Sequence, residues 1–279
     1  MGPLRVSGAP RPRALSIAGS DAGGGAGIQA DLKTFSALGV YGMTAITAVT
    51  VQNTRGVSDV EAISARIVAE QIRAVATDIG VDAAKTGMLA NASIVEAVAA
   101  AIEEEAVHPL VVDPVSVSKH GHPLLTADAI AAIRDRILPL ATLVTPNLPE
   151  AAALTGSEVE TREHMRRAAD AMLRLGASAV LVKGGHLPGA DEAADLFSDG
   201  VSEEWLVAPR LETANTHGTG CTLSAAIAAH LALGADLLAA VDAGKRFVTE
   251  AIRHALALGH GIGPVDPLWS IPPPGDRGR

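Results

Sequence analysis

Absences narrow the field first. The chain holds one cysteine in 279 residues, which excludes an internal disulfide and a cysteine-based metal cluster and fits a reducing cytoplasm. Aromatic residues make up only 2%, so the core must be aliphatic, and a base-stacking nucleic-acid surface lacks the rings to build it. Positive charge is in deficit: 22 Lys and Arg stand against 31 Asp and Glu, for a net charge of -9. That balance argues against a nucleic-acid or anionic-membrane partner. Charges and glycines break the apolar stretches well before membrane length. The Gly-, Pro- and Arg-rich residues 1–12 contain no apolar run and read as a disordered tail, not a signal peptide. These readings point to a cytoplasmic protein. Three phosphate or acyl-transfer motifs are also missing: Gly-x-Gly-x-x-Gly, the Gly-Lys-Ser/Thr P-loop and the Gly-x-Ser-x-Gly elbow.

What is present is an alternation of apolar runs and helical periods. Residues 14–18 read as a strand, residues 19–27 as a glycine loop, and Ile28, Leu32, Phe35 and Leu38 as one face of a helix stopped by Gly39. Further strands are expected over 44–51, 83–86, 110–112, 142–145 and 179–182. Helices are expected over 64–79, 93–106, 127–137, 161–175, 219–233 and 237–258, with a short one ending near Gly156. Residues 192–207 read as two strands about an Asp199-Gly200 turn. Such alternation predicts an α/β fold with a mostly parallel central sheet covered on both faces. No linker or internal repeat divides it, so one domain is expected over 13–270, with disordered ends.

Ligands of open α/β sheets bind beyond the carboxyl ends of the strands. Polar groups gather there: Gly19-Ser20-Asp21, Gln52-Asn53, Gly87-Met88, Asp113, Asn147 with Glu150, and Lys183-Gly184-Gly185. The chain is organised around Asn215-Thr216-His217-Gly218-Thr219-Gly220-Cys221-Thr222-Leu223-Ser224, which runs into an Ala-rich helix. Glycines there permit close approach, and the unpaired N–H groups of the helix start make a site for an anion such as phosphate. An ordinary glycine turn before a helix is the competing reading of those ten residues taken alone. Cys221 sits at the rim, where the helix terminus favours the thiolate and bound phosphates oppose it, so a moderate shift is expected.

The chain resembles the ribokinase superfamily, and within it the hydroxymethylpyrimidine/phosphomethylpyrimidine kinases of thiamine biosynthesis. The likeness runs from Ala14 to about Trp269. It is carried by Ile17-Ala18-Gly19-Ser20-Asp21, Gly24-Gly25-Ala26-Gly27-Ile28-Gln29-Ala30-Asp31, Val51-Gln52-Asn53-Thr54, Thr145-Pro146-Asn147-Leu148-Pro149-Glu150-Ala151, Val182-Lys183-Gly184-Gly185-His186 and the run 216–224. The resemblance implies a three-layer α/β/α ribokinase-like fold. It implies ATP-dependent phosphorylation of 4-amino-5-hydroxymethyl-2-methylpyrimidine, and then of its monophosphate to the diphosphate. It assigns Gly19, Asp31, Gln52, Met88 and Val115 to the pyrimidine pocket, and Asp113 and Glu150 to a magnesium ion. Asn147, Lys183, Thr216, Gly218, Thr219 and Gly220 fall to the nucleotide, and Cys221, Lys183, Gly218 and Gly220 to catalysis. A homodimer is the superfamily's usual state.

These assignments can be weighed against chemistry. A carboxylate and a carboxamide suit an aminopyrimidine; a solvated carboxylate, which the neighbouring Lys33 permits, is the lesser alternative for Asp31. Met88 and Val115 could be ordinary core. Glu150 after Pro149 could merely stabilise a helix start. Lys183 ends a buried strand, where a phosphate partner would account for its charge. Sugar kinases of the superfamily carry an aspartate where Cys221 stands, so the base is the point of departure. The loop 116–122, with Lys119 and two histidines, reads as a lid or as a mobile loop. His217 and His186 read as structural. The nearest rival is a pyridoxal/pyridoxine kinase on the same scaffold, because both acceptors are flat heteroaromatics bearing a hydroxymethyl group. A regulatory nucleotide-binding protein would not need Asp113, Glu150, Lys183 and Cys221 together. A cysteine hydrolase lacks a recognisable histidine–carboxylate partner for Cys221.

Overall fold

The computed structural model describes residues 11–115, 125–185, 187 and 192–271. The expected disordered ends therefore fall almost wholly outside the described residues, as do the loop 116–122 and His186. β1 (Arg13–Asp21), α1 (Gly27–Ala37), β2 (Tyr41–Asn53) and β3 (Gly56–Ala62) open the fold. They are followed by α2 (Ala65–Asp78), β4 (Ala83–Thr86), α3 (Ala92–Glu104), β5 (Leu110–Val112) and α4 (Ala127–Ala132). A π turn continues α4 over Ile133–Ile137. Then come β6 (Leu143–Val144), α5 (Leu148–Thr155), α6 (Arg162–Arg174), β7 (Val180–Val182), β8 (Glu192–Ser198), β9 (Glu203–Pro209), α7 (Thr219–Ala232) and α8 (Leu237–Arg253).

The described strands form one 9-stranded sheet in the order β3-β2-β1-β4-β5-β6-β7-β8-β9. Pairings from β2 through β7 are parallel, and β3, β8 and β9 join antiparallel at the two edges. Neighbouring residues divide between the faces, as the two-residue period of a strand requires. Leu15, Ile17, Val112 and Val182 pack with residues of α2 to α6, whereas Ala14, Val111 and Leu181 pack with α1, α7 and α8. Three layers result, as the α/β alternation predicts. The scarcity of aromatics shows in α7, whose Ala225, Ala226, Ala228 and Ala229 are all fully buried. Small side chains let that helix pack closely, so its start sits hard against the strand ends.

Two differences from the sequence expectation have plain causes. Strand β3 is absent from it, because most of β3 is exposed and offers no apolar run. Helix α8 stops at Arg253, not near 258: the Leu256 N–H instead donates to the Pro264 carbonyl at 2.9 Å, and Leu258 is exposed.

Candidate active site

The chain order reverses between β1 and β4, which are neighbours in the sheet although β2 and β3 intervene in sequence. The carboxyl ends of the strands at such a reversal leave a crevice. A cleft of about 1220 Å³ opens there. Single-ligand pockets hold roughly 300–1,000 Å³, so this one has room for an acceptor and a nucleotide together. Its lining includes Gly19, Gln52, Met88, Asp113, Val115, Asn147, Glu150, Lys183, Thr216, Gly218, Thr219, Gly220 and Cys221. Every residue that the resemblance assigns to substrate, nucleotide, metal or catalysis, except one, therefore lines the same cavity.

The exception is Asp31, expected in the pyrimidine pocket. It is fully buried beneath the cleft, and Ser16 Oγ donates to its Oδ2 at 2.6 Å. Lys85 Nζ donates to both of its oxygens at 3.2 and 3.1 Å. A carboxylate saturated in this way has no oxygen left to face a ligand. Position 31 lies on the inward face of α1, where the helical period turns it under the sheet end.

The anion corner has the geometry that its glycines suggest. Gly218 caps α7 with φ 81°, and a Cβ there would stand 1.8 Å from the Gly25 carbonyl oxygen, so only glycine fits. At Gly220 a Cβ would stand 3.4 Å from Lys183 Nζ and 3.5 Å from Asp113 Oδ2, which measures how closely the helix start faces the charged pair. Lys183 Nζ lies 3.0 Å from Asp113 Oδ1 and 3.8 Å from Glu150 Oε2. The ammonium thus has carboxylate partners within the protein, and a phosphate is not needed to account for it. Burial pushes the Lys183 pKa down, but Asp113 and Glu150 outweigh it and leave the group raised and charged. Glu150 also does the structural work of its bland reading. Its Oε2 accepts the Asn147 N–H at 2.8 Å while Asn147 Oδ1 accepts the Glu150 N–H at 2.9 Å, a capping box at the start of α5.

Cys221 departs from expectation. Burial raises its thiol to about 12, against the pull of the Lys85 ammonium; Asp31 and Asp113 add to the rise, and the Gly27 N–H opposes it. The helix start does not compensate for a desolvated sulfur flanked by two carboxylates, so the free enzyme carries a neutral thiol at pH 7. Lys85 itself is fully buried: burial opposes its charge, but Asp31 first among its neighbours holds its pKa up.

Among the described residues, no three His, Cys, Asp or Glu side chains converge as a metal cage. Asp113 and Glu150, 1% and 5% exposed, are linked through Lys183. Two hard oxygen donors fit magnesium, which binds one or two carboxylates and keeps several waters.

The fully buried Lys85 and the Lys245–Asp195 pair escape a reading of the sequence, which places Asp21 at its strand end and reads His217 as structural without pairing the two. Lys85 is a charge in an otherwise apolar strand, and that oddity is the signal that could have found it. Asp21 and His217 both line the cleft and meet at 2.9 Å. Burial alone would raise the Asp21 carboxyl, yet His217, Gln52 and the Gly23 N–H hold it down at about 2. At the far end, Lys245 Nζ meets Asp195 Oδ2 at 2.7 Å, and both line the cleft wall beside β8 and α8.

Comparison with known proteins identifies the family. A family model described as phosphomethylpyrimidine kinase matches residues 21–266. The hydroxymethylpyrimidine/phosphomethylpyrimidine kinase of Mycobacterium bovis is 55% identical over 270 residues, covering 96% of this chain and 98% of that protein. The thiamine biosynthesis bifunctional protein of Geobacter sulfurreducens is 49% identical over 268 residues, which cover 96% of this chain and 54% of that longer protein. Among solved structures, the pyridoxal kinase of Staphylococcus aureus in complex with AMP-PCP and pyridoxal superposes with a TM-score of 0.87. It is 36% identical, and the match covers 94% of this chain and 96% of that one.

Proposed function

The chain belongs to the phosphomethylpyrimidine kinase family, and from that premise we propose how its cleft divides the work of the reaction. The protein is an ATP-dependent phosphotransferase of thiamine biosynthesis that phosphorylates 4-amino-5-hydroxymethyl-2-methylpyrimidine and then the monophosphate. Gly19, Gln52, Met88 and Val115 hold the pyrimidine ring, with the Gln52 carboxamide reading its amine and ring nitrogens. Thr216, Gly218, Thr219 and Gly220 cradle the transferring phosphates on the α7 start. Asn147 and Lys183, paired side by side across a β-bridge, complete the nucleotide site. The observation that carries this division is that the paired Lys183 and Asp113 face the α7 start so closely that a Cβ at Gly220 would stand 3.4 and 3.5 Å from them.

Phosphoryl transfer calls mainly for positioning and for groups that spread charge over the phosphoryl oxygens. Lys183 and the α7 N–H groups supply that on the protein side. Magnesium, held by Asp113 and Glu150 partly through its waters, would supply further charge neutralisation. Cys221 takes the proton of the primary alcohol in the first phosphorylation. In the second, the attacking oxygen belongs to a phosphate already largely ionised at neutral pH, and no base is needed. Cys221→Ala should therefore slow the first phosphorylation about 100-fold and the second by less than about 5-fold. Equal losses would refute that division. A coupled ADP-release assay comparing hydroxymethylpyrimidine, its monophosphate and pyridoxal measures both steps. Pyridoxal is included because the superposable S. aureus enzyme is a pyridoxal kinase, and side activity belongs to the same reading. Diphosphate formation from the monophosphate is the outcome that a kinase of vitamin B6 salvage alone would not produce.

No helix among the described residues is long and apolar enough to cross a membrane. A cytoplasmic homodimer completes the proposal. It is supported by the single cysteine and by Val49 and Val51, exposed on one face of β2 beside the sheet edge.

A further inference from the structure

Asp21 ends β1 at the point where the sheet order reverses, and it is 2% exposed. Four donors converge on its carboxylate. Gly23 N–H reaches Oδ1 at 2.8 Å, while Gly25 N–H and Ala26 N–H reach Oδ2 at 3.0 and 2.8 Å. His217 Nε2 stands 2.9 Å from the same Oδ2. With its lone pairs taken, Asp21 can serve neither as a base nor as a metal ligand. What it does is join two pieces of chain that are 196 positions apart.

His217 is itself fixed from the other side. Its N–H donates to the Gly263 carbonyl and its carbonyl accepts the Val265 N–H, each at 3.0 Å. Its ring lies against Gly25, where a Cβ would come within 2.5 Å of His217 Cδ2. The next residue, Gly218, opens α7 and rests on the Gly25 carbonyl. Two residues beyond Gly25, the Gly27 N–H points at the Cys221 sulfur. The loop 23–27, beside the acceptor pocket, and the corner 216–221, at the phosphates, therefore meet at Gly25 and Gly27. The Asp21–His217 contact, at 2.9 Å, is the side-chain hydrogen bond that links the end of β1 to that corner.

We propose that Asp21 and His217 form a positioning pair that locks the acceptor-side loop onto the phosphate corner, so that the acceptor oxygen and the transferring phosphoryl group share one rigid frame. The inference rests on reading residues 216–221 as the phosphoryl-transfer corner. It assigns neither residue a chemical step. Displacing reacting groups by about 1 Å can cost on the order of 100-fold in rate. A slack joint between the two loops should appear in turnover before it appears in binding, because each loop would still hold its own ligand.

The test uses the full chain and replaces His217 with two amides. In His217→Gln the amide nitrogen can occupy the place of Nε2 and still reach Asp21. In His217→Asn the side chain is too short to do so. Steady-state kinetics with hydroxymethylpyrimidine and ATP should show kcat of the Asn variant reduced about 10- to 100-fold, with both KM values within about 3-fold of the parent. The Gln variant should recover most of kcat. Asp21→Asn should resemble the Asn variant. Equal kcat in His217→Asn and His217→Gln would overturn the proposal, as would a loss in both that merely follows the fraction of folded protein by thermal unfolding. Cys221→Ala, assayed in parallel, separates the premise from the inference. Full activity there with a deficient His217→Asn would remove Cys221 as the base and leave the positioning pair standing.

Discussion

A thiol raised to about 12 makes Cys221 a base that is scarce in its active form at neutral pH. If the thiolate of the free enzyme takes the alcohol proton, kcat/KM for hydroxymethylpyrimidine should climb about tenfold per pH unit between 7 and 9. The monophosphate should show no such slope, and a plateau for the alcohol below pH 9 would exclude Cys221 as its base. Lys85 is the strongest influence holding the thiol down, greater than the opposing effect of Asp31. Lys85→Met should thus raise the thiol further even if Asp31 becomes neutral, and slow its alkylation by iodoacetamide at pH 9 several-fold. The single cysteine makes that reading specific to one site. Asp21 offers a test of the opposite sign. Its folded pKa of about 2 lies below that of an exposed carboxyl, so its contribution to stability is present above about pH 4 and is lost as the pH falls towards 2. Urea unfolding of Asp21→Asn should show a loss of about 2 kcal/mol at pH 7 and almost none at pH 2.

Among the elements, the start of α7 carries the tightest backbone constraint. Gly218→Ala must either leave the left-handed φ of 81° or push the Gly25 carbonyl away from a contact of 1.8 Å. Either response moves the helix start relative to the loop 23–27. Left-handed backbone costs a side-chain-bearing residue about 1–2 kcal/mol. The variant should fold with reduced stability, seen as a lower Tm, and lose more than about 100-fold in kcat/KM for ATP. That corner is legible in the sequence, because Gly218-Thr219-Gly220-Cys221 followed by alanines can hardly be anything but a glycine turn opening a packed helix. The parallel strands are legible for a similar reason: covered on both faces, they appear as apolar runs ending in polar residues. Three things are not legible in that way. β3 lies on an edge, mostly exposed, and lacks the run. Asp31 belongs to a helix whose inward face can be placed from periodicity, but its partner Lys85 lies 54 positions away, and only the folded sheet brings them together. The sign of the Cys221 shift depends on that same pair and on burial, neither of which a helix-start argument contains.

At the scale of the whole molecule, the sheet leaves an edge to be covered. β3 is the outermost strand, and beside it β2 exposes Val49 and Val51 on one face, 46% and 59% accessible. An edge strand invites pairing unless it is blunted, and the register sets Val51 opposite Asp59 and Val49 opposite Glu61. Valines flanked by acids suit a symmetric contact in which apolar centres meet and charged rims stay wet. The next residue along β2 is Gln52, on the cleft wall. Thr54 follows it, fastened to the C-terminal segment by the Gly261 and Ile262 N–H groups at 3.2 and 2.8 Å. A second subunit on this edge would therefore brace the strand that presents Gln52 to the pyrimidine, while Lys183, proposed for the nucleotide, follows β7 on the far side of β1. Val51→Asp should shift sedimentation at micromolar concentration from dimer to monomer, and raise KM for hydroxymethylpyrimidine about 10-fold with KM for ATP within about 2-fold. A monomeric parent protein would remove the brace from the account. A dimeric parent in which Val51→Asp leaves both KM values unchanged would place the subunit contact elsewhere and leave Gln52 to be held by its own chain, through Asp21 and the Thr54 fastening.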